Sequence, residues 1–180
     1  MKIDLKDLYE NYLNQNFSVC ANLPYYITTP ILMRLLDSDL NIDSITIMVQ
    51  KEVADRIVSP PNSKRYGVLS VMVQARGVAK KLFDLQPNVF SPPPNVVSSL
   101  IKIELKDNVI KSNINDFRRC VRAAFSSRRK QVKNNFSNAY DISKDEISKI
   151  LKKLDIDDQI RAENLSVEEF DKLTVILTNS

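Results

Sequence analysis

The stretch Phe17-Ser-Val-Cys-Ala-Asn22-Leu-Pro-Tyr25 decides the fold. Its first five residues form a short apolar run that Asn-x-Pro brings to a halt, so it reads as a buried strand running into a turn. Thr28-Thr-Pro30 then starts a helix, because Thr caps helix N-termini and Pro suits the first helical position. Ile31, Leu32, Leu35 and Leu36 form the apolar face of that helix. Ser44-Ile-Thr-Ile-Met-Val49 is a second buried strand, rich in β-branched residues. Strand, helix and strand in this order specify an α/β sheet.

The pattern continues outward. Lys51 to Val58 reads as a short helix with Val53, Ala54, Ile57 and Val58 inward, stopped by Pro60-Pro61. Residues 59–66 read as a loop, and 67–76 are apolar but ambiguous between helix and strand. Val78 to Leu85 and Ser98 to Leu105 read as strands close enough to pair antiparallel. After about residue 106 the period changes to helical. Asn113 is placed to cap a helix whose inner face is Phe117, Val121, Ala124 and Phe125. Ser126-Ser127 interrupts it, and a following helix carries Val132 and Phe136. Ser143-x-x-Glu146 and Ser166-x-x-Glu169 are capping boxes ahead of two more apolar helix faces. The division expected is therefore 1–106 as a sheet-bearing domain and 107–180 as a small all-helical one.

Composition removes several classes of function. The chain has 180 residues with two glycines, Gly67 and Gly77, which are isolated from one another. A Gly-rich phosphate or dinucleotide loop needs clustered glycines. There is no His, so a Ser-His-Asp triad, a His-ligated metal and a His general base are excluded. Cys20 and Cys120 follow no zinc or redox spacing, so no metal is expected. Two lone cysteines suit a reducing cytosol, and a cytoplasmic location is expected. The charged start at 1–13 is not a signal peptide, and no apolar run is long enough to span a membrane.

Charge is distributed unevenly. The net charge is +4, yet residues 111–133 alone hold eight basic residues against one acid. The eight are Lys111, Arg118, Arg119, Arg122, Arg128, Arg129, Lys130 and Lys133. Arg is well shaped for bidentate phosphate contact, and a block this dense has the footprint of a nucleic-acid site. The plainer alternative is a solvated helix face.

Three segments carry chemistry. Asn22-Leu23-Pro24-Tyr25 follows a strand, at the carboxyl edge of the sheet where α/β folds place ligands. The Asn22 side-chain oxygen and the Leu23 or Pro24 carbonyl are acceptors for an exocyclic amine, and Tyr25 offers a flat face to the attached base. Such acceptors pull the amine lone pair out of conjugation and aim it at an electrophile, with no strong base required. The competing reading is turn chemistry alone. Phe90-Ser-Pro-Pro-Pro94-Asn-Val96 is a stiff segment that holds Phe90 in place, either as the second half of a base sandwich or as a core residue. Phe125-Ser-Ser-Arg-Arg-Lys130 is the peak of the basic block. Arg161 and Glu163, further on, read as a structural contact between helices.

Together, NLPYYITTP (22–30), VQKEVADRI (49–57), PNSKRYG (61–67), FSPPPNVVSS (90–99), FSSRRKQVKNNF (125–136) and IRAENLS (160–166) resemble the KsgA-type ribosomal RNA adenine N6,N6-dimethyltransferases, in the same order and over essentially the whole chain. That family modifies two adjacent adenosines in a hairpin near the 3′ end of small-subunit rRNA. The resemblance implies that Asn22, Leu23, Pro24 and Tyr25 hold the target adenine amine, and that Asn22 also touches the methyl donor, S-adenosylmethionine. It implies that Phe90 stacks on the flipped adenine. It further implies that the helical domain grips RNA through Arg118, Arg119, Arg122, Arg128, Arg129, Lys130 and Lys133. The expected partner is small-subunit rRNA or the 30S particle. The implied fold is the C-terminal half of a Rossmann-like methyltransferase sheet followed by a helical domain.

One departure qualifies the expectation. In that family the donor site opens with a Gly-rich turn and two acidic residues, all N-terminal to N-L-P-Y. Only 21 residues precede Asn22 here, and they resemble the segment after the last of those acids. The 180 residues alone are therefore expected to bind S-adenosylmethionine weakly or not at all. A non-catalytic RNA-binding or ribosome-assembly module using the 111–133 block is the alternative.

Overall fold

The computed structural model describes residues 15–38, 40–107 and 109–178, so the charged start of the chain lies outside the described residues. The chain divides into two compact units: Met1–Val58 with Arg76–Asp107, and Ser59–Ala75 with Asn108–Ser180.

The first unit is built on a four-stranded mixed sheet. Its strands are β1 (Phe17–Asn22), β2 (Ile42–Gln50), β3 (Gly77–Leu85) and β4 (Ser98–Leu105), in the order β1-β2-β4-β3. β1 and β2 are parallel and joined by helix α1 (Thr28–Leu36), the crossover that a parallel pair requires. β4 is antiparallel to both β2 and β3, and helix α2 (Lys51–Ile57) begins at the residue after β2 ends.

Alternation along the strands puts Ile45, Ile47 and Val49 of β2 and Ile101 and Ile103 of β4 on one face, all fully buried with Leu36 of α1 and Ala54 and Ile57 of α2. Each such Ile, Leu or Val side chain contributes about 1.5–3 kcal/mol of transfer free energy. β1 corrects the sequence expectation. It is not a fully buried strand, because it ends the described sheet: Phe17, Val19 and Ala21 are half-buried while Ser18, Cys20 and Asn22 are exposed. The apolar run in its sequence concealed that alternation.

In the second unit the ambiguous stretch after Gly67 is helix α3 (Val68–Gln74). The sequence grouped 59–75 with the first domain, whereas these residues form one compact unit with 108–178. The reason is the fully buried Tyr66, whose ring stands edge-on to Phe125 at 6.4 Å, with Phe125 stacked on Phe170 at 6.0 Å. The remaining helices are α4 (Ile114–Ala124), α5 (Val132–Tyr140), α6 (Lys144–Lys153) and α7 (Val167–Thr178). Both capping boxes form, with Glu146 N–H donating to Ser143 Oγ and Glu169 N–H to Ser166 Oγ, each at 3.2 Å. Asn113 caps α4 by accepting from Asn115 N–H at 2.8 Å. The buried Asn135 amide donates to the Ala124 carbonyl at 2.6 Å and the Ser127 carbonyl at 3.1 Å, which fixes the break between α4 and α5.

Candidate active site

The end of β1 and the turn after it form one wall of an open concavity of about 330 Å³ at the carboxyl edge of the parallel strands. Its lining is Asn22, Leu23, Pro24, Tyr25, Met48, Phe90, Pro92 and Pro94, so the structure brings together the two segments that the sequence singled out separately. Met48 was not foreseen. It stands beside Asn22 because the parallel register pairs those two residues, and no local sequence signal carries that register. Tyr25 and Phe90 make no ring contact with one another among the described residues, and both face the concavity.

The turn itself is tightly specified. The Pro24 carbonyl accepts from Ile27 N–H at 3.1 Å and from the Thr28 hydroxyl at 3.0 Å. Thr28 is thus helical, with Ile27 at the cap position, and its hydroxyl locks the turn instead of capping the helix. Two donors thus reach the Pro24 carbonyl oxygen and leave it no free lone pair. Among the described residues nothing donates to the Leu23 carbonyl, and the exposed Asn22 amide has no hydrogen-bond partner. Asn22 and Leu23 are therefore the acceptors left for a ligand.

Tyr25 is held from behind. Its hydroxyl lies 2.5 Å from that of Ser98, the first residue of β4, which is fully buried. The next residue, Ser99, points to the opposite face and donates to Asp84 at 2.7 Å. Asp84 also pairs with Lys51 at 2.5 Å and Lys81 at 3.4 Å, and Lys81 reaches Asp55 at 2.9 Å. The Lys51 ammonium, then the Ser99 hydroxyl, hold the Asp84 carboxyl down at about 2. This network ties β3, β4 and α2 together around the strand that carries Ser98. Neither Ser98 nor Asp84 was singled out from the sequence, since each meets its partner only through strand pairing.

The basic block lies in the second unit, where most of it is engaged. Arg128 donates to the carbonyls of Lys64 at 3.1 Å and Tyr66 at 2.9 Å and faces Glu163 at 3.5 Å. Glu163 therefore pairs with Arg128 rather than with Arg161, which instead bridges to Gln131. Lys133 pairs with Asp158 at 2.8 Å, the Arg119 guanidinium sits over the Tyr140 ring at 4.7 Å, and Arg118 is half-buried. The side chains of Arg122, Arg129 and Lys130 are exposed and have no protein partner among the described residues. Among the described residues no group of three or more His, Cys, Asp or Glu side chains could hold a metal ion, and no helix is long and apolar enough to cross a membrane.

Comparison with known proteins identifies the family of the chain. The sequence matches the family described as "Ribosomal RNA adenine dimethylase" over residues 1–179. It is 41% identical over 175 residues to a ribosomal RNA small subunit methyltransferase A from Desulfitobacterium hafniense, covering 97% of this chain and 62% of that protein. It is 40% identical over 180 residues to the protein of the same name from Clostridioides difficile, covering 98% of this chain and again 62% of the relative. The chain thus spans a little under two thirds of the length of these relatives. Among solved structures, a dimethyladenosine transferase from Plasmodium falciparum superimposes with a TM-score of 0.77 at 24% identity, over 96% of this chain and 74% of that one. The 23S rRNA methyltransferase ErmE superimposes with a TM-score of 0.66 at 15% identity, over 91% of this chain and 66% of that one. These likenesses identify the sheet as methyltransferase-like. The chain belongs to the ribosomal RNA adenine dimethylase family.

Proposed function

We propose that this chain forms the acceptor side of an enzyme that transfers methyl groups to the N6 amine of adenine in small-subunit rRNA. The observation that carries the reading is the convergence of two free acceptors, on Asn22 and Leu23, with two aromatic side chains, Tyr25 and Phe90, around one concavity. An adenine unstacked from its strand would lie between Tyr25 and Phe90. Its amine would donate one hydrogen to Asn22 Oδ1 and the other to the Leu23 carbonyl. That geometry turns the nitrogen lone pair away from the ring and toward the open mouth. As the nitrogen gains positive charge, the two acceptors and the two π faces stabilise it. The proton then leaves to water, which suits a chain without His.

The methyl donor fitting this chemistry is S-adenosylmethionine, whose sulfonium supplies an electrophilic methyl. Asn22, at the strand end, would touch it. Among the described residues, the lining of the concavity has no charged side chain for the donor's amino-acid end. The 180 residues alone are accordingly expected to hold the donor weakly, and calorimetry showing micromolar binding would overturn that part. RNA would be gripped by Arg122, Arg129 and Lys130 of the second unit.

The decisive test is transfer of labelled methyl groups onto under-methylated small subunits, using these residues within a chain of the relatives' full length. Asn22→Ala should abolish transfer while RNA affinity stays nearly unchanged. Activity within a few-fold of wild type would rule out the role given to Asn22. RNA binding with no label incorporated by the unaltered protein would favour a non-catalytic RNA-binding module.

A further inference from the structure

We propose that Tyr26 is a stacking platform for the base next to the one held in the concavity. The inference rests on the base-holding role of that concavity and adds a second nucleotide subsite to it. Tyr26 is 86% exposed, the most exposed large hydrophobic side chain among the described residues. It makes no ring contact and no hydrogen bond there, and it does not line the concavity. Among the described residues of this unit, no packing contact accounts for an aromatic ring at that position.

The backbone that carries the ring is nonetheless fixed. Tyr25 and Tyr26 are the two central residues of the turn closed by Ile27 N–H on the Pro24 carbonyl at 3.1 Å. On one side Tyr25 is tied to Ser98, and on the other Thr28 opens α1 with its hydroxyl on the same Pro24 carbonyl. Two rings leave neighbouring Cα atoms, one half-buried against the concavity and one in solvent. A side chain with two rotatable bonds on a fixed turn loses little entropy when a flat ligand covers it.

The chemistry of base extraction supplies the occupant. Drawing one base out of a strand breaks its stacking and leaves its neighbour with a bare π face, at a cost of a few kcal/mol. An exposed ring on the residue next to Tyr25, carried by the same closed turn, replaces the lost stack. Stacking on an aromatic ring tolerates any base, so the ligand class is a single-stranded RNA nucleotide directly flanking the target.

The test is a binding cycle with the 180-residue chain and short single-stranded RNAs. One RNA carries two consecutive adenines, and two others carry an abasic site in place of one or the other. Tyr26→Ala should weaken binding of the intact RNA roughly tenfold, and Tyr26→Phe should stay within about twofold. The Tyr26→Ala loss should vanish with one abasic RNA and persist with the other, and Phe90→Ala should show the opposite dependence. The proposal is overturned if Tyr26→Ala changes nothing, if its loss is the same on all three RNAs, if both variants couple to the same base, or if the wild-type chain binds no RNA. An unchanged affinity on Tyr26→Ala would leave a protein segment as the partner of the exposed ring. If Tyr26 couples to one base while Phe90→Ala couples to none, the concavity reading fails and the Tyr26 platform stands.

Discussion

The Tyr25 hydroxyl lies 2.5 Å from the Ser98 hydroxyl, which joins the turn after β1 to the first residue of β4. Ser98 is fully buried, so its hydroxyl left alone loses a hydrogen bond without gaining water. Ser98→Ala and Tyr25→Phe should each lower stability by about 1–2 kcal/mol. The double variant should lose less than the sum, with a coupling of about 1 kcal/mol in urea unfolding. Additive losses would show that the pair does not interact.

The basic residues separate into two groups with different readouts. Arg129→Gln with Lys130→Gln should lower RNA affinity and reduce the salt slope by about 2, because each cation that meets a phosphate releases about one counterion. Arg128→Gln should show itself in unfolding instead, because that guanidinium serves the carbonyls of Lys64 and Tyr66. A salt slope that falls with Arg128→Gln but not with the Arg129 and Lys130 pair would reverse the assignment.

The two glycines differ in what surrounds them. A Cβ at Gly77 would land on the Glu104 carbonyl of the paired strand, whereas a Cβ at Gly67 meets nothing within 4 Å. Gly77→Ala should cost at least about 2 kcal/mol through forced strand separation. Gly67→Ala should stay within about 1 kcal/mol, the usual cost of a poorer N-cap residue. Thermal unfolding of the two variants distinguishes the cases.

Asp84 makes stability depend on acid. Lys51 first, then Ser99 and Lys81, lower its carboxyl from 3.8 to about 2 in the folded chain. A depressed folded value means that the contribution is complete above the unfolded value and is lost as pH falls through the folded one. The stability gap between wild type and Asp84→Asn should be constant above about pH 5 and close progressively between about pH 4 and about pH 2. A gap that does not change with pH would remove the ion pairs from the account.

Much of the fold was legible because its signals are local. A capping box joins residues three apart, so Ser143 with Glu146 and Ser166 with Glu169 declare two helix starts without help from the rest of the chain. The apolar run of β2 declares a buried strand in the same way, and Ser98 to Leu105 reads as a strand from its own residues. β1 misled because an apolar composition does not tell a central strand from an end strand; only its neighbours do. Residues 67–76 stayed ambiguous because a short apolar run fits either period, and burial of Tyr66 among Phe side chains places them with the helices.

The candidate site divides along the same line. The sequence by itself determined that an Asn, a rigid carbonyl and a Tyr follow a strand, that a proline-stiffened Phe exists elsewhere, and that positive charge gathers at 111–133. All of these are properties of a few consecutive residues. Tertiary structure decided that Phe90 and Met48 share a concavity with Asn22, that Ser98 anchors Tyr25, and that among the described residues the Pro24 carbonyl is already satisfied while the Leu23 carbonyl is not. It also decided that Arg128 serves the protein's own carbonyls, whereas Arg129 and Lys130 face solvent. Strand register and hydrogen-bond saturation depend on residues far apart in the chain. No window of sequence contains them.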